Sequence, residues 1–200
     1  MISVFMTNRF SFNASKVNSS PRCAYIVTEN SYPRQTTGIP LPMTTEPHAL
    51  MLDTNIFSRV LDGVLSLPAR GERRFLVTGV QADECRSTPC PVRRAGLLRT
   101  IEVIAPELCL ASSFCLGIEG AGFDQAEWND GSGKFEGMLA RLKALDKKQK
   151  TEAQNLNQIR DIVIAETVNK LGAVLVSDDA KLRQVVVEFG GAAVPSAHLS

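Results

Sequence analysis

Ala49-Leu50-Met51-Leu52-Asp53-Thr54-Asn55-Ile56-Phe57 is the stretch whose reading decides the fold. A short apolar run ends abruptly in Asp-Thr-Asn, and an apolar pattern of helical spacing resumes at Ile56, Phe57, Val60 and Leu61. A buried strand delivers a carboxylate to the rim of a sheet in this way, just before a helix begins. In an open parallel α/β sheet, ligands bind at the carboxyl ends of the strands. Asp53 is therefore either a site residue or the N-cap of the next helix.

Working outward, the helix after Asp53 is expected from about Asn55 to Leu65. Phe75–Thr78 reads as a second strand. A helix follows from Val80 through Arg86, is interrupted at Pro89 and Pro91, and resumes across Arg93–Thr100. Ile101–Ile104 reads as a short strand before Pro106, and residues 107–118 fit strand or helix equally. Gly117, Gly120, Gly122, Gly131 and Gly133 mark a connection around Trp128. A helical pattern runs from Phe135 to Leu171 with a break near Lys150, and Gly172 sits where a C-cap glycine belongs. Ala173–Val176 is a strand, Lys181–Phe189 a helix and Ala192–Val194 a last strand. Strands alternating with helices predict an α/β fold in which helices cover both faces of a central parallel sheet.

Two hundred residues suit one ordinary domain with an extension. Residues 1–46 are rich in Asn, Ser, Thr and Pro and lack apolar periodicity, so they are expected to form a disordered or loosely packed N-terminal extension to a domain spanning 47–200. Arg9, Lys16 and Arg22 among serines, with no acid before Glu29, faintly resemble an organellar transit peptide. The favoured reading is an upstream extension or an early start codon, Met43 and Met51 being later candidates. A net charge of +1 advertises neither nucleic acid nor membrane globally. Cys23, Cys85, Cys90, Cys109 and Cys115 show no CxxC pairing, and His48 and His198 are the only histidines. This argues against structural zinc and for a reducing, cytoplasmic setting. No apolar run approaches the roughly 20 residues that span a bilayer.

Three further acids are candidates beside Asp53. Glu84 follows Val80 by four residues, so if Val80 packs inward Glu84 points to the sheet rim while Asp83 projects elsewhere. Asp161, Ala165 and Val168 share a helical stripe that faces the protein, where a carboxylate is costly unless bonded, paired or metal-bound; an N-terminal, dipole-favoured aspartate is the bland alternative. In Leu175-Val176-Ser177-Asp178-Asp179 a strand again ends in carboxylates. Ser177 or Asp178 is expected to cap the following helix, freeing Asp179 for the rim. If the strands bearing Asp53 and Asp179 are neighbours, the acids meet in one cleft. Close carboxylates repel unless a cation is present, and oxygen-only ligands suit Mg²⁺ or Mn²⁺.

Leu52-Asp53-Thr54-Asn55, Gly79–Glu84, Asp161-Ile162-Val163-Ile164-Ala165-Glu166-Thr167 and Leu175-Val176-Ser177-Asp178-Asp179, in that order, resemble the PIN-domain nucleases, which include the VapC-type toxins. The resemblance covers roughly residues 48–195. It implies a three-layer α/β/α sandwich and an Mg²⁺- or Mn²⁺-dependent ribonuclease in which water attacks the RNA phosphodiester. Asp53, Glu84, Asp161 and Asp179 fall on the family's acidic positions, with Asp53, Asp161 and Asp179 implied as metal ligands. Asn55 and Ser177 fall on supporting polar positions, Ser177 standing where threonine is common. Asp178 is an additional acid, either binding metal through water or idle. An antitoxin partner and a homodimer are further implications.

RNA contact needs local positive charge. Lys143, Lys147 and Lys148, with Arg141 and Lys150, form one basic run; Arg86, with Arg93, Arg94 and Arg99, forms another near Glu84. Each weighs evenly against an ordinary solvated helix face. Trp128 reads as a packing anchor, and Asp124, Glu127 and Asp130 beside it argue against nucleic-acid contact. Two rivals remain: a phosphatase or phosphoacceptor with Asp53 as nucleophile, disfavoured by Asn55 two residues on, and a non-catalytic RNA- or partner-binding module on the same fold.

Overall fold

The computed structural model describes residues 49–68, 73–146 and 151–199. The expected N-terminal extension lies outside them. The elements are β1 (Leu50–Leu52), α1 (Thr54–Leu61), β2 (Phe75–Thr78), α2 (Gly79–Arg86), α3 (Pro91–Ile104), β3 (Glu107–Cys109), α4 (Lys134–Leu145), α5 (Glu152–Leu171), β4 (Val174–Val176), α6 (Ala180–Glu188) and β5 (Ala192–Val194), followed by a 3₁₀ turn at Ser196–Leu199. The five strands form one all-parallel sheet in the order β3-β2-β1-β4-β5.

Side chains alternate across a strand, and here the alternation sorts residues into two cores. Met51, Leu76 and Leu175 face one way, against Met138 and Leu142 of α4, Ile162 and Ala165 of α5, and Leu182 and Val185 of α6. Leu50, Leu52, Phe75, Val77 and Val176 face the other way, against Ile56 and Phe57 of α1, Leu97 of α3 and Leu199. The result is a three-layer α/β/α sandwich. α2 bridges the layers at the sheet rim, with Val80 in one core and Cys85 in the other. No helix among the described residues is long and apolar enough to cross a membrane.

Several local expectations change. Ile101–Ile104 is the last turn of α3 rather than a strand. Leu97, Ile101 and Ile104 recur at helical spacing and all pack into the second core, which outweighs the β-branched run. Ala105 then turns left-handed (φ 48°) and Pro106 follows, so the helix stops. The ambiguous stretch beginning at residue 107 opens as strand β3 and continues as an irregular connection. α1 ends at Leu61, short of Leu65, where Asp62 caps it and Gly63 takes a φ of 70°. Trp128 is 73% exposed and anchors no core.

The connection after β3 is fixed by one close approach. A Cβ on Gly120, whose φ is +81°, would fall 2.1 Å from the carbonyl carbon of Gly79 and 2.3 Å from the Val80 nitrogen. Glycine at residue 120 lets this loop lie directly on the first turn of α2.

Candidate active site

β1 leads to β2 and β3 on one side, while β4 and β5 lie on the other. The strand order thus reverses between β1 and β4, and the crevice outside their carboxyl ends is the place such a sheet offers a ligand. The condition that the two acid-bearing strands be neighbours is met: Leu52 registers with Val176, and Asp53 N–H donates to Val176 O at 3.0 Å.

Asp53 is 6% exposed. It is the N-cap of α1, Oδ1 accepting from Thr54 N–H at 2.7 Å. Oδ2 accepts from Asn55 Nδ2 at 2.6 Å and from the Ser177 hydroxyl. Ser177 Oγ also accepts from Asn55 Nδ2 at 3.2 Å and from Asp179 N–H at 3.0 Å, tying the ends of β1 and β4 together. Asp53 thus caps α1 and is also buried at the rim, while Asn55 and Ser177 orient its carboxylate. Burial pushes the Asp53 carboxyl up from 3.8 to about 6; hydrogen bonds from Ser177 and Thr54 oppose the rise, and the charges of Glu84 and Asp179 add to it.

Glu84 reaches the same rim from α2. Val80 is fully buried, as the inward face requires, and the Thr54 hydroxyl donates to Glu84 Oε2. Burial raises this acid too, against the Thr54 hydrogen bond and the positive charge of Arg160. Asp83 turns toward Ser87 on the far side. Thr54 therefore serves the site, holding Glu84, and not merely the helix end.

Asp179 corrects an expectation. The N-cap of α6 is Asp179 itself, Oδ1 accepting from Lys181 N–H at 2.8 Å and Leu182 N–H at 3.1 Å. Neither Ser177 nor Asp178 takes that role: Ser177 is occupied with Asp53, and Asp178 points to the other side. Asp178 pairs with Arg59 and accepts from Ser196 N–H at 3.0 Å and Ser196 Oγ at 2.8 Å. Burial works against its charge, yet Ser196 and the Arg59 guanidinium hold it below the usual carboxylate range. Asp178→Ala is accordingly expected to lower stability by about 1–2 kcal/mol in chemical denaturation, while leaving any activity of the rim acids in place.

For Asp161 the bland alternative falls away. α5 begins at Glu152 behind a Thr151/Gln154 capping box, so Asp161 stands in mid-helix, half-buried, and is no N-terminal aspartate. Its neighbour Arg160 is the residue whose charge reaches Glu84. The structure thus brings Glu84 and Asp179 within electrostatic reach of Asp53. No three His, Cys, Asp or Glu side chains among the described residues already form a metal-holding group. The internal bonds above account for this, because the acids are turned toward Thr54, Asn55, Ser177 and the α6 amides. In kind the donors still fit a hard divalent cation: they are carboxylates and hydroxyls, and the cost of burying Asp53 beside two other acids is one a cation removes.

The described basic candidates are carried by different elements. Arg86 is exposed on the last turn of α2, near Glu84; Lys143 is exposed on α4. Arg93 is tied to Asp62 and Arg141 to Glu188. Lys147, Lys148 and Lys150 lie outside the described residues. An apolar hollow of about 410 Å³ beside Phe75, lined also by Val60, Leu65, Leu67 and Ile104, has no ionisable side chain among the described residues that line it.

Residues not singled out from sequence include Arg59, which holds Asp178, and Gln81. Gln81 is fully buried; its Oε1 accepts from Thr78 N–H at 2.9 Å while Nε2 donates to Leu52 O at 3.3 Å, the last carbonyl before Asp53. The Thr78-x-x-Gln81 capping box is a legible signal for it. Among known proteins, no family model matches the chain and no curated protein matches it.

Proposed function

We propose that the protein is a metal-dependent ribonuclease of PIN type that acts at the β1/β4 crevice. The observation that carries this reading is Asp53, a carboxyl held up to about 6 by burial at the switch point, with Glu84 and Asp179 adding repulsion. A carboxylate kept there at such cost is characteristic of a functional site. Asp53 and Asp179, with Asp161 on the adjoining helix, would hold Mg²⁺ or Mn²⁺. When bound, the ion supplies charge neutralisation for the phosphodiester and acidifies the attacking water. Ser177 and Asn55 fix the Asp53 carboxylate, and Thr54 fixes Glu84. Burial raises the Glu84 carboxyl's affinity for a proton, which suits it to the role of proton acceptor. Thr54→Val should therefore cost about 10-fold in cleavage rate and move the acidic limb of its pH profile upward, as loss of the hydroxyl leaves burial less opposed.

The nucleophile rival is disfavoured by the sequence, which has Asn55 two residues after Asp53 where such enzymes carry a second aspartate. A non-catalytic binding module is the second reading, favoured by the inward-turned acids. Incubation of the full chain with labelled single-stranded RNA separates the readings. Cleavage in Mn²⁺ that a chelator stops and Mn²⁺ restores supports the nuclease. RNA binding without cleavage under any divalent ion supports the module, and a trapped aspartyl-phosphate the rival. A VapC-like role would add a small antitoxin partner and a dimer; co-purification with the product of a neighbouring reading frame checks the first.

A further inference from the structure

Between β3 and α4 the chain forms a structured loop that no part of the proposed site uses. Ala111 bridges Ala126, Phe114 N–H donates to Glu127 O at 2.8 Å, and Ser112 is held to α5 through Thr167 Oγ1 at 2.9 Å and Glu166 Oε2 at 2.6 Å. Ala111, Ile118 and Ala121 are buried in the core beneath. On this framework sit three mutually touching rings: Phe114 and Phe123 with centroids 4.8 Å apart, Phe114 and Trp128 at 5.2 Å, Phe123 and Trp128 at 6.4 Å. Phe123 is 71% and Trp128 73% exposed, and Leu116 projects nearby in sequence at 86%. Large apolar side chains held outward by a stitched backbone mark an interaction surface.

Charge selects the occupant. From Leu110 to Gly133 there is no lysine or arginine, while Glu119, Asp124, Glu127 and Asp130 are all exposed. Glu127 is paired with Lys170, and Asp130 lies within the fields of Lys170 and of Lys134, the next residue after this stretch, which leaves Glu119 and Asp124, the latter beside Phe123, as the acids without a paired cation among the described residues. Acids around the rings repel a polyphosphate, which disfavours base stacking by RNA. A self-complementary contact between two copies would set acid against acid. A cationic group gains both from the carboxylates and from the ring faces.

We propose that the Phe114–Phe123–Trp128 surface docks a segment of a partner protein in which arginine or lysine alternates with apolar residues. None of Asp53, Glu84 and Asp179 takes part in this surface, and the proposal does not depend on whether their crevice is catalytic. Trp128 is the single tryptophan of the chain, so its emission reports directly on the patch. The full-length protein is titrated with a 12-residue peptide of alternating arginine and leucine, with the glutamate–leucine counterpart, and with a 12-nucleotide oligouridylate. The expected result is a saturable blue shift with the arginine peptide alone. Phe123→Ala should weaken it about 10-fold and Glu119→Gln with Asp124→Asn about 5-fold, both variants retaining the wild-type circular dichroism spectrum. No saturable shift with the arginine peptide, an equal shift in the variants, or a shift produced by oligouridylate instead would overturn it.

Discussion

Asp53→Asn is expected to abolish metal-dependent RNA cleavage, with a loss of at least about 100-fold, while the protein stays folded and its stability loses the share of its pH dependence between pH 4 and 7 that Asp53 supplies. The two effects share one cause. The Asp53 carboxyl titrates near 6 in the folded protein and at an ordinary 3.8 when unfolded. The folded state therefore binds the proton more tightly. The contribution of Asp53 to stability is full below pH 3.8 and is lost as pH rises through 6, by about 3 kcal/mol at 1.4 kcal/mol per pH unit. Asparagine carries no titratable proton and keeps an oxygen for the Thr54 amide, so the slope flattens. Against this, the neutral amide gives up one acceptor to Asn55 or Ser177, a loss of about 1 kcal/mol that does not vary with pH. Urea denaturation of wild type and variant at pH 4, 5.5 and 7 reads the difference. Parallel pH profiles for the two proteins would show that burial of this acid is not the source of the slope.

Gly120→Ala is expected to be the most destabilising methyl addition in the described fold, by about 3 kcal/mol or more. Its Cβ would overlap the Gly79–Val80 peptide, and the backbone there holds a φ of +81°. Steric overpacking costs about 1–3 kcal/mol and a left-handed non-glycine residue adds to it. For a domain of this size the melting temperature should fall by roughly 6–12 °C. Gly122, two residues on, has only the end of the Gln125 side chain within reach of an added Cβ, at 3.9 Å, so Gly122→Ala serves as the control.

What was legible in the chain follows from the range of the interaction concerned. Strands and helices were readable where a local pattern suffices: Phe75–Thr78 and Ala192–Val194 are strands over those very residues, and Gly172 ends α5 with a φ of 62°. Ile101–Ile104 misled because four residues of mostly β-branched chain satisfy both periods, and only packing against Leu97 and the sheet decides. The rim position of Asp53 could be read from its apolar run. Its adjacency to β4 could not, since strand order is set by pairing over more than 120 residues of sequence. Ser177, Asp178 and Asp179 are all competent caps, so local chemistry does not say which one caps α6. Arg59 on α1 settles the matter by drawing Asp178 aside, and Thr54 is drawn from its helix end to Glu84 by the same kind of distant partner.

The claim on which the account rests is that the acids at the β1/β4 crevice act as one divalent-cation site centred on Asp53. Calorimetric titration of Mn²⁺ into the full-length protein at pH 6, in two buffers of different ionisation enthalpy, tests it most directly. The account predicts saturable binding with proton release in the wild type, because the Asp53 carboxyl near its midpoint must give up its proton, and no comparable binding in Asp53→Asn. Equal binding by the two proteins, or none by the wild type, would contradict it.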